Sequence, residues 1–193
     1  MTWGVAQVIA GVPQVIDEIF REPSTIEAAV DEFRNNYPTH RGELWIYGDA
    51  TTKSFYDTIR LAFRGYSAPI TMKVPPGNPR VKERVNAVNV RLKGLDGVPG
   101  IKIAAKCKEL IQDLEEVMWR PNEKDLLKVT DQKDPYYRRT HISDGMGYWI
   151  TREWPVLSEV AKMNIKKREP LKFGKMLGDL SYRGHERGKK ATA

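Results

Sequence analysis

Cysteine is almost absent from this chain: Cys107 is the only one among 193 residues. A lone thiol excludes an internal disulfide framework and a cysteine-rich zinc site. Long apolar runs are also lacking, and no stretch approaches the roughly 20 residues that span a bilayer. The apolar N-terminus has neither a basic leading region nor a small-residue cleavage site, so it does not read as a signal peptide. These absences predict a soluble protein of a reducing, cytoplasmic compartment without membrane partners. Acidic residues are scarce at the start as well, where none precedes Asp17.

Hydrophobic residues make up 40% of the chain, with 5 Trp, enough for a core without staples. The length suits one domain of about 100–200 residues, or one domain and a tail. Net charge is +7, unevenly placed. Residues 157–193 hold ten Lys and Arg against four Asp and Glu, whereas residues 1–156 hold 22 against 21. A nearly neutral domain over 1–156 therefore carries a basic tail, which argues against a uniformly basic nucleic-acid-binding surface.

Periodicity predicts a hairpin, with strands over Trp3 to Ala10 and Gln14 to Phe20 and a turn signal at Gly11-Val12-Pro13. Ser24 with Glu27 fits a capping box for a helix carrying Ile26, Val30 and Phe33. Leu44 to Tyr47 reads as a buried strand, Phe55 to Phe63 as a helix and Ala68 to Val74 as a strand. A helix over Arg80 to Lys93 follows Pro79, with Val81, Val85, Val88 and Leu92 as its stripe. Gly94 to Gly100 reads as a turn and Ile101 to Ile103 as a short strand. Cys107 to Trp119 is amphipathic, 121–139 polar, and Ser143 to Trp154 a last helix. Strands and helices mixed in this way predict an α/β domain.

Two segments could carry chemistry. Tyr47-Gly48-Asp49-Ala50-Thr51-Thr52-Lys53-Ser54 fails as a phosphate loop, because Thr52 stands where glycine should precede the lysine and Gly48 is one position too close. Its other reading is a strand-end carboxylate, Asp49, facing a metal. A turn-capping Asp is the plainer alternative. The second segment runs from Arg138 to Tyr148. Asp144 falls in the first turn of the last helix, where the dipole favours a carboxylate in any case. It could equally be a second ligand, with His141 placing a phosphate or a water. Gly145 and Gly147 each cost a helix about 1 kcal/mol, which suggests a packing or site requirement. In Asp17-Glu18, alternation sends the two side chains to opposite faces, so at most one can point at a site. Lys53, Arg80, Lys82, Arg84 and Arg91 offer phosphate contacts, or a solvated helix face.

Together these segments resemble the C-terminal nuclease domain of bacteriophage terminase large subunits, which has a ribonuclease H-like fold. The residues that carry the likeness are Val15 to Ile19, Tyr47 to Thr51, Pro79 to Leu92, Cys107 to Ile111 with Asp113-Leu114-Glu115, and His141 to Asp144 followed by Gly147-Tyr148. They cover about residues 1–152. The resemblance implies a mixed sheet flanked by helices and cleavage of concatemeric double-stranded DNA in the bacterial host cytoplasm. It implies two Mg²⁺ or Mn²⁺ ions that activate water and neutralise phosphate charge. Asp49 and Asp144 become metal ligands, with Glu18 as a further candidate. On the reading of the basic residues themselves, Lys53, Arg80, Arg84, Arg91 and His141 are the candidate nucleic-acid contacts. A terminase ATPase domain, the small terminase subunit and the portal are the implied partners.

The chain departs from that family in two respects. The family's leading Asp lies on a strand before a segment like Met1 to Val5, so the resemblance implies a truncated domain with its first strand incomplete. No ATPase domain or intact phosphate loop is present. Impaired cleavage is expected, because hard cations need several oxygen ligands. Two other readings stay open: another ribonuclease H-like nuclease such as a junction resolvase, or a DNA- or portal-binding module that uses the basic tail.

Overall fold

A two-residue turn opens the fold. Ala10 and Gly11 both have positive φ, 50° and 76°, the geometry that matches the twist of a tight hairpin. It joins β1 (Thr2–Ile9) to β2 (Val12–Phe20) as an antiparallel pair with one irregularity at Val5/Ala6. The turn therefore lies two residues earlier than expected, and Pro13 belongs to β2, opposite Val8. The computed structural model describes residues 2–20, 25–50, 53–94, 98–121 and 125–156. Within it, residues up to Val156 belong to one compact unit. The basic tail, Ser24 and the middles of the two predicted loops (95–97 and 122–124) lie outside the described residues.

The remaining elements are α1 (Ile26–Asn36), β3 (Leu44–Ile46), α2 (Lys53–Ala62), β4 (Ile70–Met72), α3 (Val81–Lys93), β5 (Lys102–Ile103), α4 (Lys108–Glu116) and α5 (His141–Glu153). A 3-10 turn, Pro135–Arg138, precedes α5. Thr25 caps α1, its hydroxyl accepting the Ala28 N–H at 3.2 Å, and Pro38 follows its end. Helix α5 starts two residues before the predicted Ser143.

The protein is mixed α/β, with five α-helices among the described residues. The mixed sheet expected from the resemblance is present, and the described strands also form a second, smaller sheet. One has the order β1-β2-β5, with β5 parallel to β2; the other is the parallel pair β3-β4. The strands feed two cores. In one, α1 and α2 pack Val30, Phe33, Ile59 and Phe63 against Ile19, with Trp3, Val5, Leu44 and Ile46 at its margin. In the other, α3, α4 and α5 pack Val88, Leu110, Met146 and Ile150 against Val15 and Ile101. Burying a side chain such as Ile150, at 0% exposure, contributes about 1.5–3 kcal/mol. Tyr47 joins the second core just past β3, so the segment after that strand is drawn toward α5.

Candidate functional site

The loop after β3 is held by its neighbours. The Tyr47 hydroxyl donates to Glu153 at the end of α5, 2.8 Å away, and its ring lies 6.5 Å from that of Trp149. The Tyr56 hydroxyl donates to the Asp49 carbonyl at 2.6 Å. A Cβ on Gly48 would stand 2.5 Å from that same hydroxyl, so a larger residue there would have to displace it. The Ala50 N–H donates to Asn78 Oδ1 at 2.6 Å. Asp49 thus leaves a fixed backbone.

The second carboxylate arrives on α5. Arg84 of α3 donates from Nη1 to Asp144 Oδ1 at 2.6 Å, and Lys128 Nζ lies 3.0 Å from Oδ2. Gly147 makes the helix crossing close: a Cβ there would meet Arg84 Cβ at 3.2 Å. That answers the packing question raised by this glycine. The Arg84 guanidinium also lies 4.4 Å from the centre of the Tyr148 ring. Burial pushes the Tyr148 phenol upward; Arg84 opposes this, while Asp144, Asp49 and Tyr56 add to it. A cavity of about 170 Å³ opens beside Asp144 and is lined in part by Arg84, Asp113 and Ser143.

Arg84 needs correction as a DNA contact. It is 6% exposed and spends its charge on Asp144 and Tyr148. Its place on the helix looked outward only because the apolar stripe was drawn through Val81 and Val85; the buried face is Arg84, Ala87 and Val88. Lys53 and Arg80 are exposed. Arg91 stacks on Trp154, 5.1 Å from the ring centre, and His141 is exposed with its ring edge-on to Tyr137.

Glu18 is committed elsewhere. Its two oxygens accept the N–H groups of Glu109 and Leu110 at 2.9 and 3.0 Å, neutralising the start of α4. Asp17 meets Tyr37 and Lys106 instead. Asp113 accepts from Thr140 and Ser143, at the start of α5. Arg139, 4% exposed, lies 3.2 Å from Glu109 and 3.7 Å from Glu116. Asp113 could have been singled out from sequence, since it falls on the stripe Leu110, Leu114, Val117 and a charge there must be satisfied internally. Tyr56, Asn78 and Lys128 carry no such signal.

Among the described residues, no group of three His, Cys, Asp or Glu side chains is placed to hold a metal ion. Asp144 already has a cation on each oxygen. This donor set does not fit the two-ion centre that the resemblance implies. Comparison with family models, curated proteins and solved structures finds no match for the chain.

Proposed function

We propose that this chain is a DNA-processing domain of the phage terminase nuclease type. Its cleavage of double-stranded DNA awaits a third carboxylate. The observation that supports this reading is the place of Asp144 in the first turn of α5, against Arg84 of α3 and beside a cavity of about 170 Å³, with Asp49 in the loop after β3, its carbonyl held by Tyr56. The ribonuclease H-like part of the reading draws on the strand edges. Among the described residues β1 pairs only with β2, and β3 only with β4. Both open edges border one core, through Trp3 and Val5 on one side and Leu44 and Ile46 on the other. An extended strand added along the β1 edge would bring a further carboxylate to this side of the domain. Double-stranded DNA is the substrate, and a packaging ATPase, a small terminase subunit and a portal are the partners. No described helix is long and apolar enough to cross a membrane, consistent with work in a host cytoplasm.

Nicking of supercoiled plasmid in Mg²⁺ or Mn²⁺ tests the reading. The chain alone should cut poorly. A version with an extended strand ending in Asp, joined by a tight turn ahead of Thr2, should cut and should lose the activity in Asp49→Ala and in Asp144→Ala. Cutting indifferent to both substitutions would sink the proposal, as would inactivity of every strand-extended version.

A second reading is favoured by the pairing of both Asp144 oxygens with Arg84 and Lys128. In it the domain binds DNA or the portal without cleaving. Salt-sensitive DNA binding with no metal-dependent nicking under any arrangement would select it.

A further inference from the structure

Asp113 is 1% exposed, and an ionised carboxylate at that depth is costly unless every oxygen is satisfied. The nearest approach of a described cation is Arg139 Nε, at 3.9 Å, too far for a hydrogen bond. Both oxygens are spent on amides: Oδ1 accepts from Thr140 at 2.8 Å and Oδ2 from Ser143 at 3.0 Å. These are among the donors that a helix start leaves without internal partners. A capping residue ordinarily satisfies them with its own side chain. Thr140 occupies the cap position here, but its side chain makes no such bond. The acceptor is borrowed from α4.

The borrowing has a geometric consequence. Thr140 sits at φ 78°, ψ −14°, in the left-handed region, where a β-branched residue costs of order 1–3 kcal/mol. It is 1% exposed, so water cannot compensate. Through its carbonyl, Thr140 receives the Asp144 N–H at 3.0 Å. The residue that Asp113 grips by its N–H therefore holds Asp144 by its C=O. The position of α4 is itself set from β2, through Glu18.

We propose that Asp113 is the positioning residue for Asp144. It keeps Thr140 in its strained backbone state and so sets the direction in which Asp144 leaves α5 toward Arg84 and Tyr148. The functional weight of this assignment rests on the reading of Asp144 as a site carboxylate. The geometric claim is testable without any nuclease assay.

The test uses the full chain with Asp113→Asn, alone and combined with Thr140→Gly, read by amide hydrogen exchange and by the Arg84 side-chain NH resonances in ¹⁵N NMR. In Asp113→Asn, exchange at Thr140, Ser143 and Asp144 should speed up about tenfold, what one lost charge-assisted bond is worth. Ile150, deeper in α5, should not change. The Arg84 resonances should shift, because Asp144 no longer meets the guanidinium squarely. Glycine adopts a positive φ without help, so adding Thr140→Gly should return them toward the wild-type positions. A lowered melting temperature with unmoved Arg84 resonances would reduce Asp113 to a stabilising cap and overturn the proposal. Failure of Thr140→Gly to restore those resonances would also overturn it. If Asp113→Asn alone does not fold, the double variant decides, since the proposal requires it to fold with near-wild-type Arg84 signals. Nicking is not a readout here, so failure of the nuclease reading would leave these outcomes unaffected.

Discussion

Arg84 Nη1 and Asp144 Oδ1 meet at 2.6 Å across the crossing of α3 and α5, with side chains only 7% and 18% exposed. Breaking one side of so covered a pair leaves a buried charge without its partner. Asp144→Ala should therefore destabilise the fold by about 3–5 kcal/mol. Asp144→Asn keeps an acceptor for Arg84 and should cost about half as much. The double replacement Arg84→Met with Asp144→Leu should recover most of the loss, because no charge remains to be desolvated. Urea unfolding of the four proteins measures this; equal, small effects for Asp144→Ala and Asp144→Asn would contradict it.

Lys128 holds the other Asp144 oxygen, but its side chain is 52% exposed. An exposed partner is screened by water and salt, so Lys128→Ala should cost less than about 1 kcal/mol. The difference from wild type should shrink further on raising salt from about 0.05 M to about 1 M. A loss as large as that of Asp144→Ala at both salt concentrations would show that the lysine, rather than Arg84, carries the pairing.

Gly48 and Tyr56 form a matched pair. Alanine at position 48 would push its Cβ against the Tyr56 hydroxyl, so Gly48→Ala should cost about 1–3 kcal/mol. Tyr56→Phe removes the hydroxyl and its bond to the Asp49 carbonyl, for about 1 kcal/mol. Combined, they should cost clearly less than their sum, since the second change removes the obstacle to the first. Strict additivity in a double-mutant cycle would mean that this clash is not why position 48 is glycine.

Asp17 gives a pH dependence. Burial raises its pKa, but the hydroxyl of Tyr37, the ammonium of Lys106 and the Glu18 N–H outweigh that, leaving it below the ordinary 3.8. A depressed folded value stabilises the protein above the unfolded pKa, and that stability disappears as pH falls through the folded value. Tyr37→Phe should thus lower stability at neutral pH, with the gap from wild type narrowing as pH falls below 3.8. Unfolding curves at about pH 6 and about pH 3 would show it. A gap that widens on acidification would refute the assignment.

The tail supplies a prediction from charge alone. Removing 157–193, with its ten Lys and Arg, should weaken binding to a labelled duplex and flatten the dependence of log affinity on log salt. Fluorescence anisotropy between about 50 and 200 mM salt measures both. An unchanged slope would place the phosphate contacts on the folded domain.

Much of the secondary structure could be read directly. β-branched alternation marked the hairpin, and apolar spacing marked α1 to α5 within a few residues. Asp49 and Asp144 stood out because strand ends and helix starts are polar positions with few uses. Arg84 stood out too, but as a phosphate contact, because an arginine on a helix looks the same in sequence whether it faces water or a carboxylate 60 positions away. The partner of Glu18 was hidden for a similar reason. Alternation showed that it and Asp17 diverge, but not that the start of α4 would lie beneath it, 91 and 92 positions on.

The sequence by itself determined the elements and the separation of a near-neutral domain from a basic tail, because hydrogen-bond periodicity and charge are set within a few residues of chain. Only the tertiary structure decided which charges are spent internally. Arg84 closes on Asp144, Glu18 and Asp113 cap helices from afar, and the described strands pair as β1-β2-β5 and β3-β4. Desolvation makes the difference: a buried charge must find its partner wherever the fold brings one, and that partner is seldom near in the chain.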